Sequence, residues 1–284
     1  MELTRDKAYL LPSRLGPILR REGCATIDVL ASRLRPGSAL ARDVVEAMLN
    51  HESFFFRDGI PFAQLEQALL PDFKEKRADG RRISIWCAAS SHGQEPYSLA
   101  MLFAENQAEW AGWEIDILAS DLSSVAVDRA RSACYTQFEV QRGLSTHRLL
   151  QHFVKTGDDW TLVDNIRDRV TFRTHSLLAP PPRRAAFDII FARNVLFYLG
   201  AEEKRRALVN LRDAMADDGV LALGAAETTF GHQDLFARSP IHRGFYKSAP
   251  AMMADAPDTG QIPARPAVFS QPGHAAGQQP SRTV

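Results

Sequence analysis

Near the start of the chain, apolar residues recur at helical spacing. Leu11, Leu15, Ile18 and Leu19 share one face, and Gly23 follows as a stop signal. Pro17 lies inside that pattern and predicts a kinked or split helix. A second short helix is expected after Thr26, with Ile27, Leu30 and Leu34 on one face, and a third carries Leu40, Val44, Ala47 and Met48. No strand-like alternation precedes Leu70, so residues 1–70 read as an all-α helical domain.

From Arg81 to Lys247 short apolar runs alternate with helical patterns. Strands are expected at Ile83–Trp86, Ile115–Leu118, Val170–Phe172, Phe187–Phe191 and Gly219–Leu223. Helices are expected at Pro96–Phe103, Val125–Arg131 and Lys204–Ala214. Such alternation implies an α/β fold, a mostly parallel sheet with helices on both faces. Phe236–Ser239 and Gly244–Lys247 read as a closing hairpin. Between Ala133 and Val170 lie about 35 residues, more than a simple connection needs. Residues 135–169 therefore read as a small subdomain inserted in a sheet domain spanning 71–249. The remainder, 250–284, is rich in Pro, Ala, Gly and Gln and reads as a disordered tail, its Pro263-Ala264-Arg265-Pro266 included.

Composition narrows the class. The chain has 284 residues, 45% hydrophobic and 24% charged, with 34 basic and 34 acidic side chains. That balance disfavours a protein whose main partner is nucleic acid. Its cysteines, Cys24, Cys87 and Cys134, form no C-x-x-C pair, so neither a disulfide scaffold nor a cysteine zinc site is expected. No metal ligand set is expected elsewhere. The start lacks the long apolar run of a signal peptide, and no stretch reaches the roughly 20 apolar residues of a membrane span. A cytoplasmic protein without membrane insertion is the expectation.

Candidate chemistry sits where strands end. The first strand runs into Cys87-Ala88-Ala89-Ser90-Ser91-His92-Gly93-Gln94-Glu95-Pro96. A loop of small residues at a strand-to-helix turn lets a ligand approach the backbone. It is neither G-x-G-x-x-G nor a P-loop. Glu95 would repel a phosphate and attract an ammonium, as on the methionine end of S-adenosylmethionine. Asp121 ends the second strand, where an acid can accept hydrogen bonds from both ribose hydroxyls. After the fourth strand, Asn194 can orient a nucleoside or methionine group and Tyr198 can reach a reacting centre. Plainer alternatives stand beside these: an ordinary tight turn, a helix cap at Asp121 or Ser123, and core aromatics at Phe197 and Tyr198.

These segments carry a resemblance. Ile85-Trp86-Cys87-Ala88-Ala89-Ser90-Ser91-His92-Gly93-Gln94-Glu95-Pro96-Tyr97-Ser98 resembles the signature of the CheR-type chemotaxis receptor methyltransferases. So do Ala119-Ser120-Asp121-Leu122, Gln137-Phe138-Glu139-Val140-Gln141-Arg142-Gly143-Leu144 and Phe191-Ala192-Arg193-Asn194-Val195-Leu196. The match runs in family order from near Leu10 to Lys247 and leaves out the tail.

The resemblance implies a Rossmann-like S-adenosylmethionine-dependent methyltransferase sheet with a helical domain helping to close the cleft. It implies methyl transfer to glutamate side chains in the cytoplasmic helical domain of chemoreceptors. The family segment N-E-T-x-F-F-R is here His51-Glu52-Ser53-Phe54-Phe55-Phe56-Arg57. His51 replaces a cofactor-contacting asparagine and can carry charge. Ser176 stands before Leu177-Leu178, where the family usually has asparagine. The implied cofactor site comprises His51, Ser53, Arg57, Glu95, Asp121, Ser176, Leu177, Asn194 and Val195, with Arg57 and Tyr198 as catalytic residues. Arg57 has a plainer alternative, an ion pair with Asp58.

Arg14, Arg20, Arg21, Arg33 and Arg35 read equally as a face for an acidic receptor bundle or as a solvated face balanced by Glu22, Asp28 and Asp43. The turn in Val154–Trp160 is compact and resembles members that hold no C-terminal receptor peptide. A monomer is expected. Two other readings stay open: a catalytically weak adaptor or S-adenosylmethionine sensor, carried by His51 and Ser176, and a methyltransferase for RNA or a small molecule.

Overall fold

The structure is a computed structural model and describes residues 8–249. The expected tail and its Pro-x-x-Pro motif lie outside the described residues. Three helices come first: α1 (Leu10–Arg21), α2 (Ile27–Arg33) and α3 (Ala39–Met48). Thr26 and Ser38 cap the second and third, their hydroxyls accepting the N–H of Val29 and Ala41. Leu15, Ile18, Cys24, Leu30 and Met48 form their core, with Leu11, Leu19, Leu40, Val44 and Ala47 packed against it.

Helix α1 is not split at Pro17, contrary to one outcome expected of that residue. Pro17 and Ser13 are both exposed, so the Ser13 carbonyl that loses its helical partner faces water. Several of the arginines are engaged within this bundle. Arg14 Nη1 donates to the Met48 and Leu49 carbonyls at 2.7 and 2.9 Å, neutralising the end of α3. Arg21 pairs with Glu22 and Asp43, and Arg33 donates to the Glu22 carbonyl.

A second helical stretch comprises α4 (Ile60–Gln64), a π-helical turn (Leu65–Leu69) and α5 (Leu70–Lys76). Its Phe62, Leu65, Leu69, Leu70 and Phe73 pack into the core of the sheet. The sheet begins with β1 (Arg82–Ala88), α6 (Gln94–Glu105), β2 (Glu114–Asp121) and α7 (Ser124–Ser132). The insertion follows as β3 (Cys134–Thr136), α8 (Gln137–Gln141), α9 (Thr146–His152), β4 (Phe153–Thr156), β5 (Asp159–Leu162) and α10 (Asp164–Arg167). The chain returns through β6 (Val170–Thr174), β7 (Phe187–Phe191), α11 (Ala201–Ala214), β8 (Met215–Ala222), β9 (Phe236–Arg238) and β10 (Phe245–Ser248).

The main sheet has the order β6-β2-β1-β7-β8-β10-β9. Strands β6 to β8 pair in parallel, and β10 runs antiparallel between β8 and β9, giving the expected closing hairpin. This is a doubly wound, Rossmann-like architecture. Strand β1 is buried along nearly its whole length, with Ile83, Ile85 and Cys87 in one core and Trp86 and Ala88 in the other. That alternation is why a continuous apolar run serves a sheet covered on both faces.

The insertion is a three-stranded antiparallel sheet, β3-β5-β4. Thr136 and Glu139 form a capping box that starts α8. The β4–β5 turn is two residues, Gly157 and Asp158, between the paired Thr156 and Asp159. Gly143 presses the insertion onto the chain before α4. Its φ is +87°, and a Cβ there would overlap the Phe55 carbonyl. Phe55 in turn meets Tyr135 and Phe153 edge-on, at 5.0 and 5.5 Å between centroids. The insertion thereby holds the segment that carries Arg57. No helix among the described residues is long and apolar enough to cross a membrane. Gly143→Ala is expected to lower unfolding free energy by roughly 2–4 kcal/mol through left-handed strain plus backbone overlap, read as a shifted denaturant midpoint with an unchanged slope.

Candidate functional site

In an open α/β sheet, ligands bind beyond the carboxyl ends of the strands, where strand order reverses. Here that point lies between β1 and β7. A cleft opens there, walled by the loops after β1, β2, β6 and β7 and roofed by residues 49–57. His51, Ser53, Arg57, Glu95, Asp121, Ser176, Leu177, Asn194, Val195 and Tyr198 all line it. The fold thus gathers the residues expected to hold the cofactor, with Arg57 and Tyr198, around one space.

The loop after β1 is shaped by backbone that most residues avoid. Ala89 and Ser91 have φ of 61° and 50°, and Gly93 has 90°. A Cβ on Gly93 would lie 3.1 Å from Ala130 Cβ and from the Tyr97 ring. One carboxylate holds the neighbouring turns. Asp121 Oδ2 accepts the Ser91 N–H at 2.8 Å and Oδ1 accepts the Ser123 N–H at 3.0 Å. Ser123, not Asp121, supplies the hydroxyl that caps α7. Each oxygen of Asp121 keeps lone-pair capacity toward the cleft.

Glu95 does not stand alone as a lure for an ammonium group. Arg193, whose side chain is 1% exposed, donates Nη1 to Glu95 Oε2 at 2.9 Å. Its Nη2 reaches Asp58 Oδ2 at 2.7 Å and the Arg57 carbonyl at 2.9 Å. Burial pushes the Glu95 carboxyl up, against the pull of Arg193 beside it. The Arg57–Asp58 ion pair is not formed, since Asp58 belongs to Arg193. Arg57 instead donates Nη1 to the Glu52 carbonyl at 2.8 Å and lies over the Phe54 ring at 5.3 Å.

Glu227 organises the far wall. Its Oε2 accepts the N–H of Asn194 and Gly224 at 2.6 and 2.8 Å, and Oε1 those of Val195 and Leu196 at 2.8 and 2.7 Å. Asn194 is thereby held at φ 61°. A Cβ on Gly224 would lie 2.8 Å from Glu227 Oε2 and 3.0 Å from the Asn194 N, so a side chain there would press on this hub. Neither Glu227 nor Arg193 was assigned a role from sequence. The available signals were a lone acid after Gly224-Ala225-Ala226 at a strand end, and an arginine abutting the apolar Ile189–Ala192 run.

Ser176 Oγ accepts the Leu178 N–H at 3.2 Å and so shapes its own turn. His51 stacks on His92, centroids 5.2 Å apart, with Nε2 3.6 Å from Glu46. The Ser91 hydroxyl donates to the His51 carbonyl at 2.8 Å, and the Ser123 hydroxyl donates to Glu46. Tyr198 Oη accepts Nδ2–H of Asn50 at 2.7 Å. Phe197, expected as a core aromatic, is 47% exposed, because the short 3₁₀ turn Leu196–Tyr198 sends only Leu196 inward.

Ser90 Oγ, His175 Nε2 and Arg193 Nε line this cleft buried and without a hydrogen-bond partner. Such groups cost about 1–3 kcal/mol each when left unmatched. A ligand carrying both donors and acceptors, such as an adenosyl amino acid, fits that demand. Among the described residues no cluster of three or more His, Cys, Asp or Glu side chains is placed to hold a metal ion.

The CheR methyltransferase SAM-binding domain profile matches residues 51–245. The chain belongs to the CheR methyltransferase family. It is 35% identical to the chemotaxis protein methyltransferase Cher2 of Pseudomonas putida, over 82% of this chain and 86% of that one. It is 37% identical to chemotaxis protein methyltransferase 1 of Pseudomonas aeruginosa, over 79% and 84%. It is 38% identical to the chemotaxis protein methyltransferase of Vibrio parahaemolyticus, over 81% and 85%. The cofactor of this CheR domain is S-adenosylmethionine.

Two outcomes are expected of the CheR site. In Glu227→Gln, an amide replaces acceptors with donors facing backbone N–H groups. The variant should lose about 2–4 kcal/mol of stability and bind cofactor at least about tenfold more weakly, read by denaturation and calorimetry. Burial, together with Arg129 and His51, holds the His92 imidazole at about 4. The unfolded chain therefore binds the extra proton between the ordinary value near 6.5 and about 4. Stability should fall as pH drops through that window, and His92→Gln should flatten the fall, read as melting temperature against pH.

Proposed function

We propose that this CheR chain transfers a methyl group from S-adenosylmethionine to glutamate side chains of chemoreceptors, forming methyl esters. The observation that carries the reading is the joint placement of Arg57 and Tyr198 on the cleft that Asp121, Glu95 and Asn194 also line. The relatives' name, chemotaxis protein methyltransferase, supports a chemotaxis protein as the methyl acceptor.

In this reading Asp121 accepts the ribose hydroxyls with the lone pairs left over from Ser91 and Ser123. Ser176 and Leu177 lie against the adenine. Glu95, Asn194, Val195, His51 and Ser53 surround the methionine portion. Bound S-adenosylmethionine supplies an electrophilic methyl: a carboxylate oxygen forms the new C–O bond, the C–S pair stays on sulfur, and no proton moves. A glutamate is already ionised near pH 7, so the chain needs no general base. Its work is positioning, for which effective molarities supply roughly 7–11 kcal/mol.

Arg57 suits a carboxylate because Glu52 fixes one arm of its guanidinium while the rest of the fork faces the cleft. Tyr198 orients the same group. Charges of opposite sign cancel as the bond forms, so a dry cleft favours the step. The two-residue β4–β5 turn supports a reading in which the insertion holds no receptor peptide.

Titration calorimetry with S-adenosylmethionine and S-adenosylhomocysteine should give binding at about micromolar strength or tighter, lost in Asp121→Ala. Incubation with labelled cofactor and receptor cytoplasmic fragments should give alkali-labile label released as methanol. Binding without ester formation would exclude the receptor-glutamate reading. Failure to bind either ligand would favour an adaptor role.

A further inference from the structure

Asn50 follows α3 and its C-cap Leu49, and it meets Tyr198 across the mouth of the cleft. The contact joins residues 148 positions apart in sequence. A second, longer hydrogen bond supports its polarity. Asn50 Oδ1 accepts the N–H of Glu52 at 3.4 Å, which turns the amide so that Nδ2–H points at Tyr198 Oη. The phenol oxygen is therefore the acceptor. Its own proton has no acceptor among the described residues and remains available to the cleft that Tyr198 lines.

We infer that Asn50 is a positioning residue for methyl transfer: by donating to Tyr198 it makes the phenol a hydrogen-bond donor to the substrate carboxylate. This inference rests on the glutamate reading above. A carboxylate accepts and does not donate, so a phenol that spent its proton elsewhere would present only lone pairs and repel the nucleophile. With the proton directed into the cleft, Tyr198 holds one carboxylate oxygen and leaves the other to attack. Docking of a receptor helix over the open mouth displaces water from the pair, where a charge-assisted hydrogen bond counts most. No other residue needs to change state. Asn50 touches neither the reacting atoms nor the transferred methyl, and acts through Tyr198.

The test inverts the hydrogen bond without removing it. Asn50→Asp keeps the size and the acceptor for Glu52, but its second oxygen can only accept. The phenol proton then turns toward residue 50 and away from the cleft. Asn50→Leu removes the partner and leaves the proton free. Rates are measured on the full chain with labelled cofactor and a receptor cytoplasmic fragment, after melting curves and cofactor calorimetry confirm that each variant is folded and binds. Asn50→Asp should lower kcat by about 10- to 100-fold, close to Tyr198→Phe. Asn50→Leu should fall less, by about 3- to 10-fold. In the Tyr198→Phe background neither change should lower kcat further, as expected of residues that act as a unit.

A merely structural link predicts the opposite order, because Asn50→Asp preserves the bond and Asn50→Leu does not. Equal or better kcat in Asn50→Asp than in Asn50→Leu overturns the inference while methyl ester formation by the unaltered chain leaves the glutamate reading standing. No ester from the unaltered chain overturns both. If Asn50→Asp does not fold, Asn50→Leu against Tyr198→Phe decides: additive losses overturn the inference, and non-additive losses support it.

Discussion

One buried guanidinium ties the site together. Arg193 leaves the end of β7 and joins Glu95 on α6, Asp58 and the Arg57 carbonyl. Three separate parts of the chain thus share one charge centre beneath the cleft. Removing one partner from a buried pair typically costs about 3–5 kcal/mol, because the remaining charge is stranded. The position of Arg57 depends on this centre, since its own backbone carbonyl is one of the acceptors. Glu227 plays the corresponding part for Asn194 and Val195. Around this CheR cleft, charged side chains serve mainly as hubs for backbone, and the residues facing the ligand are placed by them.

The strain in the loops follows from the same arrangement. Phe56, Asp58, Ala89, Ser91 and Asn194 all carry positive φ without being glycine. Four of the five are held by hydrogen bonds: Ser91 by Asp121, Asn194 by Glu227, Phe56 by the Ser98 hydroxyl and Asp58 by Arg193. Strained backbone persists only where surrounding contacts over-determine it, and such residues gather at binding sites. The effect here is to bring main chain and small side chains up to the cleft without bulky atoms in the way.

The sheet was legible in the sequence because its physics is local. Predominantly apolar runs such as Phe187–Phe191, broken only by Asp188, name strands buried on both faces, and Thr26 and Ser123 mark helix starts as hydroxyl caps do generally. Pro17 left two outcomes open, a kink or a split, and the unbroken span of α1 removes the second. Phe197 misled because an aromatic beside a strand end reads as core until a tight turn reverses it. The ring of residues around the cleft was recovered from strand ends and from family resemblance. The hubs were not: Arg193 meets Glu95 and Asp58 over separations of 98 and 135 residues, and no periodicity reports such pairings. Asn50 was hidden for the same reason.

The reach of these contacts also sets a timetable. During synthesis the α1–α3 bundle and the β1–β2 portion leave the ribosome well before Arg193, Tyr198 or Glu227 exist. Until then Glu95 and Asp58 have no counter-charge, and the loop after β7 has nothing to hold it. Chains rich in such distant pairings fold slowly, since loop closure must precede any reward. The nascent CheR chain therefore lacks the counter-charge of Glu95 over the 98 residues that separate it from Arg193. The cleft becomes competent only when the stretch through Glu227 and the β9–β10 hairpin has emerged, so a truncated translation product would hold much of the fold without a working site.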